Sequence, residues 1–291
     1  MKRIFTNLGV AVTCCFALVL PVRAQNIAVK SGEKIAFLGD SITEQGNNWQ
    51  LGYVRLVVSG LKANGVDVVA IPAGVSGHKS NDMLARVDAD VIAKQPQWMT
   101  LSCGVNDVWH GVNGVPLEEY KKNITQIVEK AQAAHIKVVI LTSTLIGEDV
   151  NNAANAQTVP YNEFLRVLSK EKNLPLADLN NDMRAARVAT GETDIKKNVL
   201  TVDGVHMNGA GNQVMATGVL RAFGLNPVQL QKAREDWLDI PFSVGAEIMV
   251  PLRQYEQLQK AAAAQNRPLK DLVNEQLKKY LDSLLEKPPI T

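Results

Sequence analysis

The sequence is poor in cysteine, and this scarcity excludes a disulfide-stabilised fold. Only 3 cysteines occur in 291 residues, and two of them, Cys14 and Cys15, lie in the apolar segment that opens the chain. The third, Cys103, ends an apolar run, a setting in which cysteine is usually a small buried residue and not a reactive thiol. One cysteine outside the first segment allows no disulfide within one chain.

A large excess of charge of either sign is also missing. Lys and Arg number 31, and Asp and Glu number 29. Loss of the first 24 residues would remove Lys2, Arg3 and Arg23 but no acid, leaving 28 basic residues against the 29 acidic ones. A chain so close to neutrality gives no indication of nucleic-acid binding.

Motifs for metal and nucleotide binding are absent from the sequence as well. No group of His, Cys, Asp and Glu has the spacing of a metal site, and no glycine-rich phosphate loop occurs. The Gly-x-Ser-x-Gly elbow is also missing, because Thr43 stands where the second glycine would follow Ser41. The sequence therefore predicts no metal and no cofactor, and it disfavours the fold that carries that elbow.

Only one apolar run is long, and it lies at the start of the chain. Residues 4–20 contain no acid, follow Lys2 and Arg3, and precede Pro21-Val22-Arg23-Ala24. This pattern is typical of a secretory signal cut after Ala24, although the run is about as long as the shortest membrane-spanning helices. We expect residues 1–24 to be a signal peptide, and the mature protein to be secreted or periplasmic with no membrane segment.

Short apolar runs alternate with amphipathic stretches from residue 34 onward. Strands are predicted at 35–38, 66–71, 98–102, 138–141 and 176–178, and helices at 53–64, 80–94, 117–135, 161–172, 182–190 and after Asn208. The Asn-rich stretch 145–158 is predicted to be a loop, either solvated or part of a substrate rim. The alternation indicates an α/β fold with a parallel sheet covered on both faces, whose ligand crevice lies outside the carboxyl ends of the strands.

Four short motifs are placed at that edge of the predicted sheet. Gly39-Asp40-Ser41-Ile42 follows the first strand, residues 73–77 follow the second, residues 104–107 follow the third, and Asp203-Gly204-Val205-His206 precedes a late helix. A serine hydroxyl becomes an effective nucleophile only beside a base, and His206 is the best-placed candidate. Asp203, three residues earlier, can fix the tautomer of His206 and stabilise its charged form.

The other histidines are weaker candidates for that base. His78 and His110 follow predicted strands and could line the crevice, but neither has an acid in so close a local arrangement. His135 follows a helix and is expected to be solvated. Asp107 is expected to hold its loop and not to take part in the chemistry.

Taken together, the motifs in residues 34–223 resemble those of the SGNH, or GDSL-type, hydrolase family. The resemblance implies a flavodoxin-like α/β/α sandwich and an esterase, lipase, thioesterase or carbohydrate acetylesterase that works without a cofactor. It also implies a triad of Ser41, Asp203 and His206, and an oxyanion hole made by the backbone N–H groups of Ser41 and Gly74 and the side-chain amide of Asn106. One position departs from the family pattern: Pro72 stands where members commonly have asparagine, so a hydrogen bond that would brace Gly74 is missing.

Aromatic residues follow the serine and the asparagine, and no long apolar lid occurs. The residues concerned are Trp49, Tyr53, Trp109 and His110; we expect them at the crevice, with core packing as the alternative for at least two. This composition favours an acetylated carbohydrate over a bulky lipid as substrate. Two alternatives remain: a lysophospholipase or thioesterase with the same mechanism, and a non-catalytic module that binds carbohydrate.

The residues after 225 have a separate organisation. A helix is predicted at 229–238, a strand at 246–250, and helices at 252–265 and 269–285, the last with one apolar stripe. The strand-helix-helix order resembles ribbon-helix-helix dimer modules, but nine basic and nine acidic side chains in residues 226–291 argue against DNA binding. We therefore expect a hydrolase domain at 25–225 and a helical extension at 226–291, which either packs on that domain or forms a homodimer through 241–291.

Overall fold

A computed structural model describes residues 27–241 and 250–285. The predicted signal peptide at 1–24 lies outside these residues, and so does the predicted strand at 246–250 except for its last residue. None of the helices in the described ranges is long and apolar enough to cross a membrane.

Five parallel strands form the sheet of the described chain. They are β1 (Lys34–Gly39), β2 (Val69–Gly74), β3 (Trp98–Ser102), β4 (Lys137–Leu141) and β5 (Leu176–Ala177), in the order β2-β1-β3-β4-β5. Flavodoxin-like sheets have this order, and their ligand crevice opens where the order reverses, between β1 and β3. The candidate residues Ser41 and Asn106 follow these two strands.

Helices cover both faces of the sheet, as the sequence predicts for an α/β/α sandwich. They are α1 (Ser41–Asn48), α2 (Tyr53–Ala63), α3 (Ser80–Asp90), α4 (Val105–Trp109), α5 (Leu117–Ala133), α6 (Ala153–Glu171), α7 (Leu179–Ala189), α8 (Gly209–Ala222) and α9 (Pro227–Leu238). In β1, Ile35 and Phe37 pack into the core with α2, α7, α8 and α9, whereas Ala36 and Leu38 pack into the core with α3, α5 and α6. A strand buried on both faces reads as an unbroken apolar run, so the predicted fold class is confirmed.

The second strand lies three residues later than its sequence suggests. Val66 does not start it, because the N–H of Val66 donates to Leu61 O at 3.0 Å and closes the turn after α2. The strand runs over Val69–Gly74 instead, so that Pro72 and Gly74 belong to it and do not follow it.

The predicted loop at 145–158 is wrong from Ala153 onward, because α6 begins there. Asn152 caps this helix: its side chain accepts a hydrogen bond from Asn155 N at 2.7 Å. Pro160, which favours a helix start near residue 161, lies inside α6 and costs it one backbone hydrogen bond.

The boundary predicted at residue 226 also falls too early. The described residues fall into two compact units, one within residues 1–242 and the other within residues 243–291, and α9 belongs to the first of them. Leu230, Ala233 and Trp237 of α9 are buried in the core, and the Trp237 indole N–H donates to Leu56 O at 3.0 Å. An amphipathic helix that contributes to the core cannot be part of a separate extension.

The second unit contains two helices in the described residues, α10 (Leu252–Ala264) and α11 (Leu269–Leu285). The apolar stripe of α11 is exposed at its carboxyl end: Leu272 is buried, whereas Tyr280, Leu281 and Leu284 are exposed. Because the strand of the ribbon-helix-helix pattern lies outside the described residues, dimerisation stays a prediction.

Candidate active site

The two residues predicted as nucleophile and base meet at the crevice, although 165 positions separate them in the chain. His206 Nε2 lies 2.9 Å from Ser41 Oγ, and His206 Nδ1 lies 2.6 Å from Asp203 Oδ2. The acceptor on Nδ1 fixes the neutral imidazole with its proton on that atom, so that Nε2 can accept the serine proton.

Asp203 holds both the ring of His206 and the loop that carries it. Its Oδ1 accepts the backbone N–H groups of Val205 at 2.9 Å and of His206 at 2.8 Å, while Oδ2 accepts from the ring. Partial burial works to raise the pKa of Asp203, but the hydrogen bonds from His206 and Val205 outweigh it and hold the pKa below its ordinary value. The carboxylate therefore stays charged beside the imidazole. Its side chain is half-exposed, and contact with water favours the same charged form.

The serine is placed at the start of α1 by a capping residue. Asp40 is buried, and its side chain accepts from Ile42 N at 2.9 Å. The first N–H groups of a helix have no partner inside the helix, and the cap takes that of Ile42. The N–H of Ser41 remains available for an oxygen in the crevice, where the positive end of the helix dipole favours negative charge.

Pro72, which departs from the family pattern, removes no hydrogen bond between β2 and β1. In β2, Val69 N donates to Glu33 O and Val75 N donates to Gly39 O, so the odd-numbered residues carry the parallel ladder to β1. Pro72 belongs to the even-numbered set, which faces the free edge of the sheet, where a missing N–H is tolerated.

Gly74 lies in the same even-numbered set, so its N–H is not used by the ladder to β1. It packs against the first turn of α1 so closely that an added Cβ would collide with the backbone of Thr43 and Glu44. The loop after it is tied to α1, because Glu44 accepts from both the N–H and the hydroxyl of Ser76. These contacts brace Gly74 without the asparagine that the family pattern places at residue 72.

Asn106 is buried on α4, and one of its two amide N–H groups stays available for an oxygen of a ligand. Its Nδ2 donates to His78 O at 3.1 Å, which occupies one of its two N–H groups. The turn before α4 needs Gly104, whose φ of 130° is unfavourable for other residues and whose added Cβ would strike Ser143 Oγ. Asp107 holds this loop as expected, because its Oδ1 accepts from Ser80 N at 3.0 Å.

Only some of the aromatic residues expected at the crevice are exposed. Trp49 and Trp109 are 39% and 49% exposed, but Tyr53 is completely buried, with its hydroxyl bonded to Thr43 Oγ1 at 2.9 Å. Tyr53 is therefore a core residue, and its placement at the crevice was wrong. His110 is exposed and His78 is half-buried, and His135 is exposed as expected.

Sequence reasoning missed Glu148, which holds the loop that leads to Asp203. Glu148 is buried and accepts the backbone N–H groups of residues 199, 200 and 201 at 2.7–2.8 Å and the hydroxyl of Thr201 at 2.6 Å. Thr201 Oγ1 in turn accepts from Gly204 N at 3.0 Å, and the Arg187 guanidinium lies 3.4 Å from the carboxylate. An acid in an Asn-rich stretch gives no local signal of these contacts.

The buried Asp40 carboxyl, next to Ser41 in the chain, predicts that the free energy of unfolding falls as pH rises. Burial raises the pKa of Asp40 from 3.8 to about 6, and the negative charge of Asp107 adds to the effect. Between pH 3.8 and about 6, the Asp40 carboxyl is protonated in the folded protein and ionised in the unfolded chain. The resulting stabilisation, about 3 kcal/mol, is complete below pH 3.8 and is lost as pH rises through about 6.

The Asp40→Asn variant is expected to remove this dependence, since an amide oxygen can still cap Ile42 N without a charge. Urea unfolding at several pH values between 4 and 8 should show the variant gaining most at pH 8, by up to about 3 kcal/mol. The exposed Asp67→Asn change is the control and should leave the pH profile unaltered. A profile for Asp40→Asn parallel to that of the unchanged protein would contradict the assignment.

A serine hydroxyl bonded to an imidazole that is bonded to a carboxylate is the arrangement found in serine-dependent hydrolases. A sequence profile of the GDSL-like lipase/acylhydrolase family matches residues 37–214, more than half of the chain. The chain belongs to this family. It is a hydrolase of carboxylic esters.

Characterised relatives are esterases. An acetylxylan esterase of Geobacillus stearothermophilus is 28% identical over 220 residues, which cover 69% of this chain and 98% of that protein. An isoamyl acetate-hydrolysing esterase of Saccharomyces cerevisiae is 26% identical over 168 residues, 52% of this chain and 68% of that protein. The crystal structure of an acetyl xylan esterase superposes with a TM-score of 0.60 at 32% identity, covering 65% of this chain and 98% of the other.

Proposed function

We propose that this protein is a secreted or periplasmic serine esterase that removes acetyl groups from a carbohydrate. The observation that carries the proposal is the hydrogen-bonded series from Ser41 Oγ through His206 to Asp203. The signal-like residues 1–24 support export, and amino-terminal sequencing of the exported protein tests it. A mature chain that still begins before residue 25 would contradict the cleavage.

Acylation starts when Ser41 Oγ attacks the ester carbonyl carbon. His206 Nε2 takes the hydroxyl proton as the new C–O bond forms, and Asp203 stabilises the resulting imidazolium. The carbonyl oxygen becomes an oxyanion that accepts from Ser41 N, Gly74 N and Asn106 Nδ2. Collapse of this intermediate breaks the ester C–O bond, and the leaving sugar oxygen takes the proton from His206 and departs as a hydroxyl group.

Deacylation repeats these steps with water. His206 removes a proton from a water molecule, whose oxygen attacks the acetyl carbon bound to Ser41 Oγ. The second oxyanion uses the same three donors, and its collapse returns the proton to Ser41 Oγ and releases acetate.

An exposed indole beside the site supports a sugar substrate. Trp109 follows Asn106 by three residues on α4, and residues with this spacing share a helix face. A flat, half-exposed aromatic surface suits stacking on a sugar ring. The names of the acetylxylan esterases among the relatives agree with this substrate class.

The substrate class is tested by comparing acetylated xylooligosaccharides with esters of long-chain fatty acids. We expect higher kcat/KM for the acetylated sugars, and we expect Trp109→Ala to raise KM for them about tenfold while changing kcat for 4-nitrophenyl acetate little. The control is Val69→Ala, an exposed apolar residue at the amino end of β2, which should alter neither value. Faster turnover of the long-chain esters would favour the lysophospholipase or thioesterase alternative, and absence of turnover on every ester would favour the binding module.

We further propose that residues 241–291 join two copies of the chain. The exposed apolar side chains of α11, which include Tyr280, Leu281 and Leu284, support this assignment because a stripe of this kind is buried in most helical assemblies. Sedimentation of the chain with and without these residues tests it. An unchanged oligomeric state after truncation would contradict the proposal.

A further inference from the structure

Arg86 of α3 makes hydrogen bonds beside each of the three proposed oxyanion donors, two to backbone oxygens and one to the ring of His78. Its side chain is only 12% exposed, and all three of its nitrogens make hydrogen bonds. We propose that Arg86 is the positioning residue of the oxyanion hole. The inference rests on the proposed function, because an oxyanion hole has a role only if Ser41 attacks an ester.

Two of these bonds fix the carboxyl ends of β1, which precedes Ser41, and of β2, which ends at Gly74. Arg86 Nη2 donates to Gly39 O at 2.8 Å, two residues before Ser41. Arg86 Nη1 donates to Ala73 O at 2.8 Å, one residue before Gly74. One planar guanidinium therefore sets the separation of the two backbone N–H groups that would bind the oxyanion.

The third bond reaches the side-chain donor through His78. Arg86 Nε donates to His78 Nδ1 at 3.0 Å, and His78 O accepts from Asn106 Nδ2 at 3.1 Å. His78 thus connects the two, because its ring accepts from the arginine and its backbone oxygen accepts from the amide, and this restricts the direction of the second amide proton of Asn106. All three proposed donors are linked to one side chain.

The geometry requires arginine specifically. A guanidinium presents its N–H groups in a rigid planar fork, whereas a lysine ammonium is a single point on a flexible stem and cannot reach three acceptors with this spacing. The ion pair of Arg86 with Asp90 at 2.9 Å orients the fork from the far side. If Arg86 served only to pair with Asp90 on the same helix, its guanidinium would not also donate to Gly39, Ala73 and His78.

The test is steady-state hydrolysis of 4-nitrophenyl acetate by Arg86→Lys. We expect kcat to fall about 30- to 100-fold with KM changed less than about threefold, because the donors act on the transition state and not on the bound ester. The matched control is Arg166→Lys on α6, which weakens a comparable pair with Asp178 at the start of α7 and should keep kcat within about twofold. Equal losses of kcat in the two variants, or an unchanged kcat in Arg86→Lys, would overturn the proposal.

A double-variant cycle separates positioning from general destabilisation. Asn106→Ala alone should lower kcat about 100- to 1,000-fold, and adding Arg86→Lys should then lower it by a smaller factor than Arg86→Lys does alone, because the part of its effect that acts through Asn106 is already lost. Losses that multiply in full would contradict the proposal. Failure of the proposed function is seen separately: turnover by Ser41→Ala at the unchanged rate would refute the nucleophile whatever Arg86 does.

Discussion

The Ser41→Ala variant is expected to lower kcat by about 10⁵- to 10⁶-fold while the protein stays folded. The methyl group removes the only oxygen that lies 2.9 Å from His206 Nε2, and no other hydroxyl is bonded to that nitrogen in the described residues. Hydrolysis of 4-nitrophenyl acetate measures kcat, and circular dichroism checks the fold.

The matched control for this change is Ser31→Ala. Ser31 lies before β1, at the opposite end of the sheet, where its hydroxyl donates to Gly65 O. The control should keep kcat within about twofold, as exposed substitutions usually do. A Ser41→Ala variant that retained more than about one hundredth of the rate would contradict the nucleophile assignment.

The second large effect is expected from Glu148→Ala. The change leaves the backbone N–H groups of residues 199, 200 and 201 without their acceptor and the buried Arg187 guanidinium without its opposite charge, which we expect to destabilise the folded protein by about 3–5 kcal/mol. Since Thr201 and Gly204 lose their support too, the loop that carries Asp203 should loosen and kcat should fall. Urea unfolding and ester hydrolysis measure the two losses.

Two further variants sharpen this prediction. Glu148→Gln keeps one acceptor oxygen and should lose less stability than Glu148→Ala. Glu163→Ala removes a carboxylate that is 63% exposed and pairs with Arg166, so its effect should stay within about 0.5 kcal/mol. A Glu148→Ala protein as stable as the Glu163→Ala control would show that the buried carboxylate does not hold the loop.

The fold was predictable because its signals are local. Apolar runs such as Lys34–Gly39 are buried on both faces, and the helices between them carry apolar stripes, so periodicity alone indicates a parallel sheet between two helical layers. The candidate residues Ser41 and Asn106 were placed at one edge by the same pattern, since each follows a strand. The proximity of Ser41 to His206 was predicted from the order of the motifs and not from their spacing.

The contacts that support the site were not predictable in this way. Glu148 and Arg86 act through backbone atoms 51 and 47 positions away, at Val199 and Gly39, and the chain shows only an acid in a polar loop and an arginine on a helix. Pro72 shows the same limit, because its effect depends on which strand residues face the neighbouring strand. The start of α6 was missed for a related reason. The helix begins at the cap formed by Asn152, whereas Pro160, which lies inside it, suggests that it begins near residue 161.

The account rests on Ser41 as the nucleophile, and covalent labelling tests this most directly. The full-length protein is treated with a fluorophosphonate, digested, and analysed by mass spectrometry to locate the label. We expect one label, on Ser41, with none in Ser41→Ala and slower labelling in His206→Ala, where the base is missing. A label at another residue, or one that persists in Ser41→Ala, would contradict the account.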